Sequence, residues 1–128
     1  MRGDRQVEGV DYHHKYAPVA QWSTIRMLST LGIYEGWKTK QVDFSNAFVQ
    51  AHLNEEVYIS LPSMYSEIKG IDIDRSKHIM KLNRSLYGLV QAPLYWYNHL
   101  KQSLEKCGLR VSTKDPCLVY GKDLIVLS

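Results

Sequence analysis

The acid in KTKQVDFSNAF is the first residue of this chain placed to do chemistry. Asp43 ends a short β-like run, Trp37 to Asp43, and small and aromatic residues follow at once. Carboxylate oxygens are what a hard cation such as Mg²⁺ requires. By residue type alone, an acid at a strand end serves equally well as a cap or turn former. Other groups carry weaker signals. Asp72 and Asp74 form a D-x-D in a loop and read as solvated acids. Arg75, Lys77, Lys81 and Arg84, with His78 among them, form a basic stretch. It suits either phosphate contacts or a solvated strand edge. Tyr95, Trp96 and Tyr97 offer rings for stacking on bases, at a spacing that also serves core packing. None of the five histidines pairs with a Ser or Cys nucleophile. Cys107 and Cys117 form no CxxC, and no histidine pair stands at metal spacing, so the expectation is two buried thiols.

Bulk properties bound the choices. The chain has 128 residues, enough for one domain or a piece of a larger one. With 45% apolar and 23% charged residues its composition is globular rather than disordered. A net charge of +3 permits a nucleic-acid partner without demanding one. The start, MRGDRQVEGVDYHHKY, has no apolar h-region, so no signal peptide is expected. No run approaches the roughly 20 apolar residues of a membrane span, and the expected location is intracellular.

The elements that must position these groups follow from periodicity. Residues 1–20 read as loop or extended chain. Trp22, Ile25, Leu28 and Leu31 step by the helical period, so 22–34 is expected to be helical, with Gly32 and Gly36 as stops. A strand is expected over 37–43. A tight turn and short helix come next, with Ser45 or Asn46 as cap. EEVYISLP alternates and ends at Pro62, which predicts a strand over 56–60. KHIMKLN is a second strand able to pair with it across the loop 63–76. Pro93 stands where a helix likes to start. Tyr97, Leu100, Leu104 and Cys107 share one helical face, and Gly108 ends it. PCLVYG and DLIVLS are two apolar strands around the turn GKD. The fold class is therefore α+β (mixed α/β), helices packed on an antiparallel-rich sheet.

The stretches YAPVA…IRMLSTL, QVDFSNAFVQAHLNEEVYISLP, KLNRSLYGLVQAPLYWY and DPCLVY, in this order, resemble the reverse transcriptase domain of copia-type LTR retrotransposons. The resemblance covers the chain from about Gln6 onward. It implies part of a polymerase right hand, with fingers at about 1–20 and 52–91, palm at about 21–51 and 92–128, and no thumb. It implies RNA or DNA template-primer and dNTPs as partners, and a site for two Mg²⁺ ions. Asp43 matches the first metal-binding carboxylate, and the Phe44 carbonyl reaches a metal. Phe44, Ser45, Asn46 and Ala47 present backbone N–H groups to the triphosphate. Phe48 falls where such enzymes keep a ring that excludes a 2′-hydroxyl; plain core packing is the other reading. Tyr87, Gly88 and Gln91 lie in the connector SLYGLVQAP, which either contacts nucleotide and template or serves as a hinge.

Two positions depart from the family pattern. Val90 stands where lysine is common and Leu94 where arginine is common, which predicts weaker phosphate binding. The other carboxylates expected beside Asp43 belong to a YVDD-type turn after a strand like DLIVLS, and the sequence reaches only Ser128. Asp123 starts the last strand and is expected at its wrong end. The expectation is a fragment of an RNA-directed DNA polymerase, inactive alone. The alternative is a non-catalytic fragment that binds nucleic acid or a partner polymerase. An open sheet edge further predicts marginal stability and self-association.

Overall fold

Ile25 and Leu28 half-bury one side of the first helix, α1, which runs Trp22–Tyr34 in the computed structural model. The structure describes residues 3–128, so Met1 and Arg2 of the expected N-terminal loop lie outside it. Gln21 at the N-cap makes no side-chain cap bond, and the first turn holds no acid. Only Thr24 and Gly32 are buried. Trp22 is 73% exposed, so the apolar stripe is covered along part of its length only.

The stretch 37–43 departs from expectation. It is not a strand, because no ladder partner lies beside it among the described residues. An alternating sequence supplies an extended backbone, but a strand exists only where its N–H and C=O groups meet a second strand. Val42 is accordingly 71% exposed. The turn and short helix that follow are present as α2, Ala47–Gln50. Neither Ser45 nor Asn46 caps it with its side chain. Asn46 instead turns the chain through the left-handed region at φ 54°, which Asn tolerates better than most residues. Gln50 Nε2 closes the turn onto the Ser45 carbonyl at 3.0 Å.

Strand β1, His52–Ser60, is longer than expected and pairs antiparallel with β2, Ile79–Arg84. The register sets Val57 opposite Leu82 and Ile59 opposite Met80. Val57 is 3% exposed and joins Leu89 and Ala92 in the core, with Phe48, Leu53, Leu82 and Leu86 packed around them. The loop between the strands carries a short helix, α3, Tyr65–Lys69, ended by Gly70 in the left-handed region.

Helix α4 spans Ala92–Lys106 with Pro93 in its first turn, where a missing N–H costs nothing. Tyr97, Leu100 and Leu104 are half-buried. Cys107 is exposed, against the expectation of two buried thiols, because it stands at the C-cap beyond the packed face. Only Cys117 is buried. The last sheet has the order β3-β4-β5, with β3 Arg110–Val111, β4 Leu118–Tyr120 and β5 Ile125–Leu127, all antiparallel. Asp123 lies before β5, in the turn. Helices with two small antiparallel sheets make the mixed α/β arrangement expected of the sequence. No helix among the described residues is long and apolar enough to cross a membrane.

Candidate functional site

The residues around Asp43 are held from helix α4. The Phe44 ring meets Trp96 edge-on at 5.1 Å and 62°. Trp96 in turn stacks on His99 at 5.9 Å. Edge-to-face contact favours the ring quadrupoles, so the turn after Asp43 is pinned although its backbone joins no sheet. Asp43 itself is exposed, as are Ser45 and Asn46. Asn46 holds the turn in the left-handed region.

Phe48 faces the connector. Its ring lies 4.7 Å from that of Tyr87, tilted at 47°. This contact joins two motifs far apart in sequence, the one around Asp43 and SLYGLVQAP. Phe48 also packs on the Val57, Leu89 and Ala92 core. Tyr87 is 49% exposed, so part of its surface stays open. Gly88 adopts φ 92°, a conformation that a side chain would strain.

Gln91 lies elsewhere. Its side chain is fully buried at 0% exposure. Its oxygen accepts from Gln6 Nε2 at 3.0 Å. Its nitrogen donates to the Asp11 carbonyl at 3.1 Å and to Glu55 Oε2 at 3.2 Å. Every polar atom of the Gln91 side chain is thus occupied within the chain.

The basic stretch is engaged locally. Arg75 donates to the Leu61 carbonyl at 2.9 Å, and Arg84 to that of Gln50 at 2.6 Å. Lys81 pairs with Glu56. The Lys81 ammonium, the Tyr58 hydroxyl and the Lys81 charge hold the Glu56 carboxyl below its usual range. Asp74 accepts from the Ser76 hydroxyl at 2.6 Å and from its amide at 3.0 Å, while Lys77 lies 3.3 Å away. These contacts lower its carboxyl as well, the Ser76 hydroxyl first. The D-x-D is thus half turn former rather than wholly solvated.

Three functional or structural groups escaped the sequence reading: Gln6, Glu55 and Asp115. Asp115 is 1% exposed. Its Oδ2 accepts from the Gln21 N–H at 3.0 Å, and its Oδ1 from the Cys117 N–H at 3.0 Å. The Thr24 hydroxyl lowers its carboxyl most; burial pushes the other way, and the Gln21 and Cys117 amides add to the lowering, so the net direction is down. Asp115 therefore supplies the anion missing from the first turn of α1. Burial, then the nearby Asp115 charge, raises the Cys117 thiol. Only the Asp-Pro turn pattern in the sequence hinted at Asp115.

For metal, Asp43 and the Phe44 carbonyl offer hard oxygens of the right kind. Among the described residues no group of three His, Cys, Asp or Glu side chains could hold an ion. Mg²⁺ takes about six oxygen ligands in near-octahedral geometry, so these donors fit in kind but fall short in number.

A family profile described as reverse transcriptase (RNA-dependent DNA polymerase) matches residues 1–125. The retrovirus-related Pol polyprotein from transposon RE1 of Arabidopsis thaliana is 34% identical over 98% of this chain and 8% of its own length. That of transposon TNT 1-94 of Nicotiana tabacum is 31% identical over 95% of this chain and 9% of its own. The transposon Ty1-H Gag-Pol polyprotein of Saccharomyces cerevisiae is 28% identical over 84% and 6% respectively. The chain thus spans less than a tenth of the length of these relatives. No solved structure matches it. The chain belongs to the reverse transcriptase family, as a segment of a copia-type retrotransposon Pol polyprotein.

Proposed function

We propose that these residues form the nucleotide-facing part of an RNA-directed DNA polymerase, with fingers at about 1–20 and 52–91 and palm at about 21–51 and 92–128. The observation that carries this reading is the 4.7 Å contact between Phe48 and Tyr87, which unites the two motifs expected to face the incoming nucleotide. Asp43 is the metal-binding carboxylate, with the Phe44 carbonyl beside it. The Mg²⁺ that such a polymerase binds would stabilise charge on the triphosphate. The backbone N–H groups of Phe44 to Ala47 face the phosphates. The flat Phe48 ring underlies the sugar and disfavours a 2′-hydroxyl. Tyr87 and Gly88 line the other wall, and Gly88 lets the backbone approach closely. Template-primer and dNTPs are the partners. Because the carboxylates fall short of a two-metal site, the 128 residues alone are proposed to bind nucleotide without catalysing transfer. The alternative of a nucleic-acid-binding fragment loses support because the basic stretch is spent on internal partners.

The test is a titration of the purified chain with dTTP and UTP, each with and without Mg²⁺, followed by NMR at the Phe48 and Tyr87 rings. Metal-dependent shifts with dTTP, lost in Asp43→Asn, support the reading. Phe48→Ala is expected to narrow the preference for dTTP over UTP. Equal or absent responses in wild type and Asp43→Asn overturn the site. Mg²⁺-dependent primer extension by the chain alone overturns the claim that it is inactive.

A further inference from the structure

The N-terminal segment 3–13 crosses over the connector like a strap. It begins with a 3-10 turn, Gly3–Arg5, and continues through a bridge between Glu8 and Tyr12. It meets the connector backbone at Gly88 and at Val90. A Cβ on Gly3 would stand 2.3 Å from the Gly88 carbonyl oxygen, so only glycine lets the strap lie this close. Three residues on, Gln6 Oε1 accepts the Val90 N–H at 2.9 Å. The connector's own turns run from Leu89 N–H to the Leu86 carbonyl and from Ala92 N–H to the Leu89 carbonyl. Val90 N–H lies between them, and the strap supplies its acceptor. A shielded amide without one would be costly.

We propose that Gln91 is a positioning residue: with Gln6 and Glu55 it clasps the N-terminal strap across the connector and so fixes the backbone of Tyr87 to Val90. The functional consequence rests on the nucleotide-facing reading above. The orientation of the clasp is unambiguous. Reversing the Gln91 amide would set its NH₂ against that of Gln6 and its oxygen against the Asp11 carbonyl and the Glu55 carboxylate. Glu55 fastens the far end of the strap as well, since its Oε1 accepts the His13 N–H at 3.3 Å. Burial, then the Glu55 charge, raises the Tyr95 hydroxyl, which keeps it protonated beside this carboxylate. The strap is thus held at Gln6, Asp11 and His13, and Gly88 and Tyr87 beneath it are held in turn. Tyr87 carries this constraint to Phe48 through their ring contact.

Hydrogen exchange on the full 128-residue chain reads the clasp directly. Gln91→Leu and Gln6→Leu are expected to speed exchange at Val90 and across 86–91 by about tenfold or more, the equivalent of one lost buried hydrogen bond. Exchange in the middle of α4 and in β4 is expected to stay as in wild type. Gln91→Glu sets a second carboxylate against Glu55 and the Asp11 carbonyl and is expected to open the strap at neutral pH. Adding Glu55→Gln restores a donor and recovers protection, which a merely space-filling role would not do. Gly3→Ala, which keeps every clasp side chain but forces the strap off the Gly88 carbonyl, serves if Gln91→Leu fails to fold, and is expected to loosen 86–91 while α4 and β4 stay as in wild type. Unchanged exchange at 86–91, equal acceleration throughout the chain, or no recovery in the double variant overturns the clasp.

A titration with Mg²⁺ and dTTP separates the two readings. If wild type shows no response at Tyr87 and Phe48 but exchange behaves as expected, the clasp stands and the nucleotide site falls. If wild type binds dTTP and Gln91→Leu binds it equally despite a loosened connector, the positioning role falls and the site stands. The expected result is binding at least about tenfold weaker in Gln91→Leu.

Discussion

Asp115 ties together residues 94 positions apart in sequence, and its removal has a calculable consequence. In Asp115→Ala the Gln21 N–H, Cys117 N–H and Thr24 hydroxyl all lose their shared acceptor. Hydrogen bonds to a charged group contribute about 1.5–3 kcal/mol each. They do not add in full, because Gln21 is exposed and its N–H turns to water. Cys117 is 1% exposed, so its N–H stays unsatisfied. The expected loss is therefore about 3 kcal/mol, dominated by the Cys117 and Thr24 bonds. Asp115→Asn keeps one acceptor but turns an NH₂ towards a backbone donor, and is expected to lose about half as much. Urea unfolding followed by tryptophan fluorescence measures both. With a slope of about 1.5 kcal/mol per molar, Asp115→Ala lowers the midpoint by roughly 2 M or abolishes cooperative folding. The sign of the pH dependence follows from the lowered carboxyl. The folded chain holds the proton less tightly than the unfolded one, so this contribution is full above the ordinary carboxylate range. It is lost as pH falls through that range towards the lower folded value. Wild type should lose stability in that window, and Asp115→Asn should lose less. Equal midpoints for wild type and both variants, or equal acid sensitivity of wild type and Asp115→Asn, would refute the anchoring role.

Further outcomes follow from other parts of the structure. Gly88→Ala forces a Cβ onto φ 92° and is expected to lower stability by about 1–2 kcal/mol in urea titrations. Gly108→Ala carries similar conformational strain at φ 83° but meets nothing within 4 Å, so its effect should stay near 1 kcal/mol. Phe48→Ala removes the Tyr87 ring contact and part of the core cover, and should cost about 2–4 kcal/mol in the same assay. Iodoacetamide should modify Cys107 promptly in the native chain and Cys117 only after unfolding, as peptide mass mapping would register. Strand β5 has one paired edge, and Ile125 is 40% exposed. Sedimentation velocity is expected to show concentration-dependent association, reduced in Ile125→Lys. A strictly monomeric wild type across the concentration range would count against association through that edge.

The sequence by itself determined the elements whose signals are local. The period of Ile25 and Leu28, the stop at Gly36, Pro93 and Gly108 placed α1 and α4 closely. Alternation placed β1, a short apolar run able to pair with it placed β2, apolar runs around the GKD turn placed β4 and β5, and the motifs identified the family. The tertiary structure decided everything that depends on a distant partner. Residues 37–43 have the pattern of a strand and none of its pairing. The two-residue strand β3 is too short to carry a period, and exists because β4 lies beside it. Cys107 continues the helical period but stands past the packed face. Tyr87 meets Phe48 because the connector returns over the core. The basic stretch suited either phosphates or a solvated strand edge, because nothing local reveals that the Leu61 and Gln50 carbonyls accept from Arg75 and Arg84. Gln91 shows the limit most plainly. Its motif marked it as important, but its hydrogen-bond partners are Gln6, Asp11 and Glu55, residues that no periodicity links to it. A buried amide must find partners wherever the fold brings them, and that search is solved in three dimensions, not along the chain.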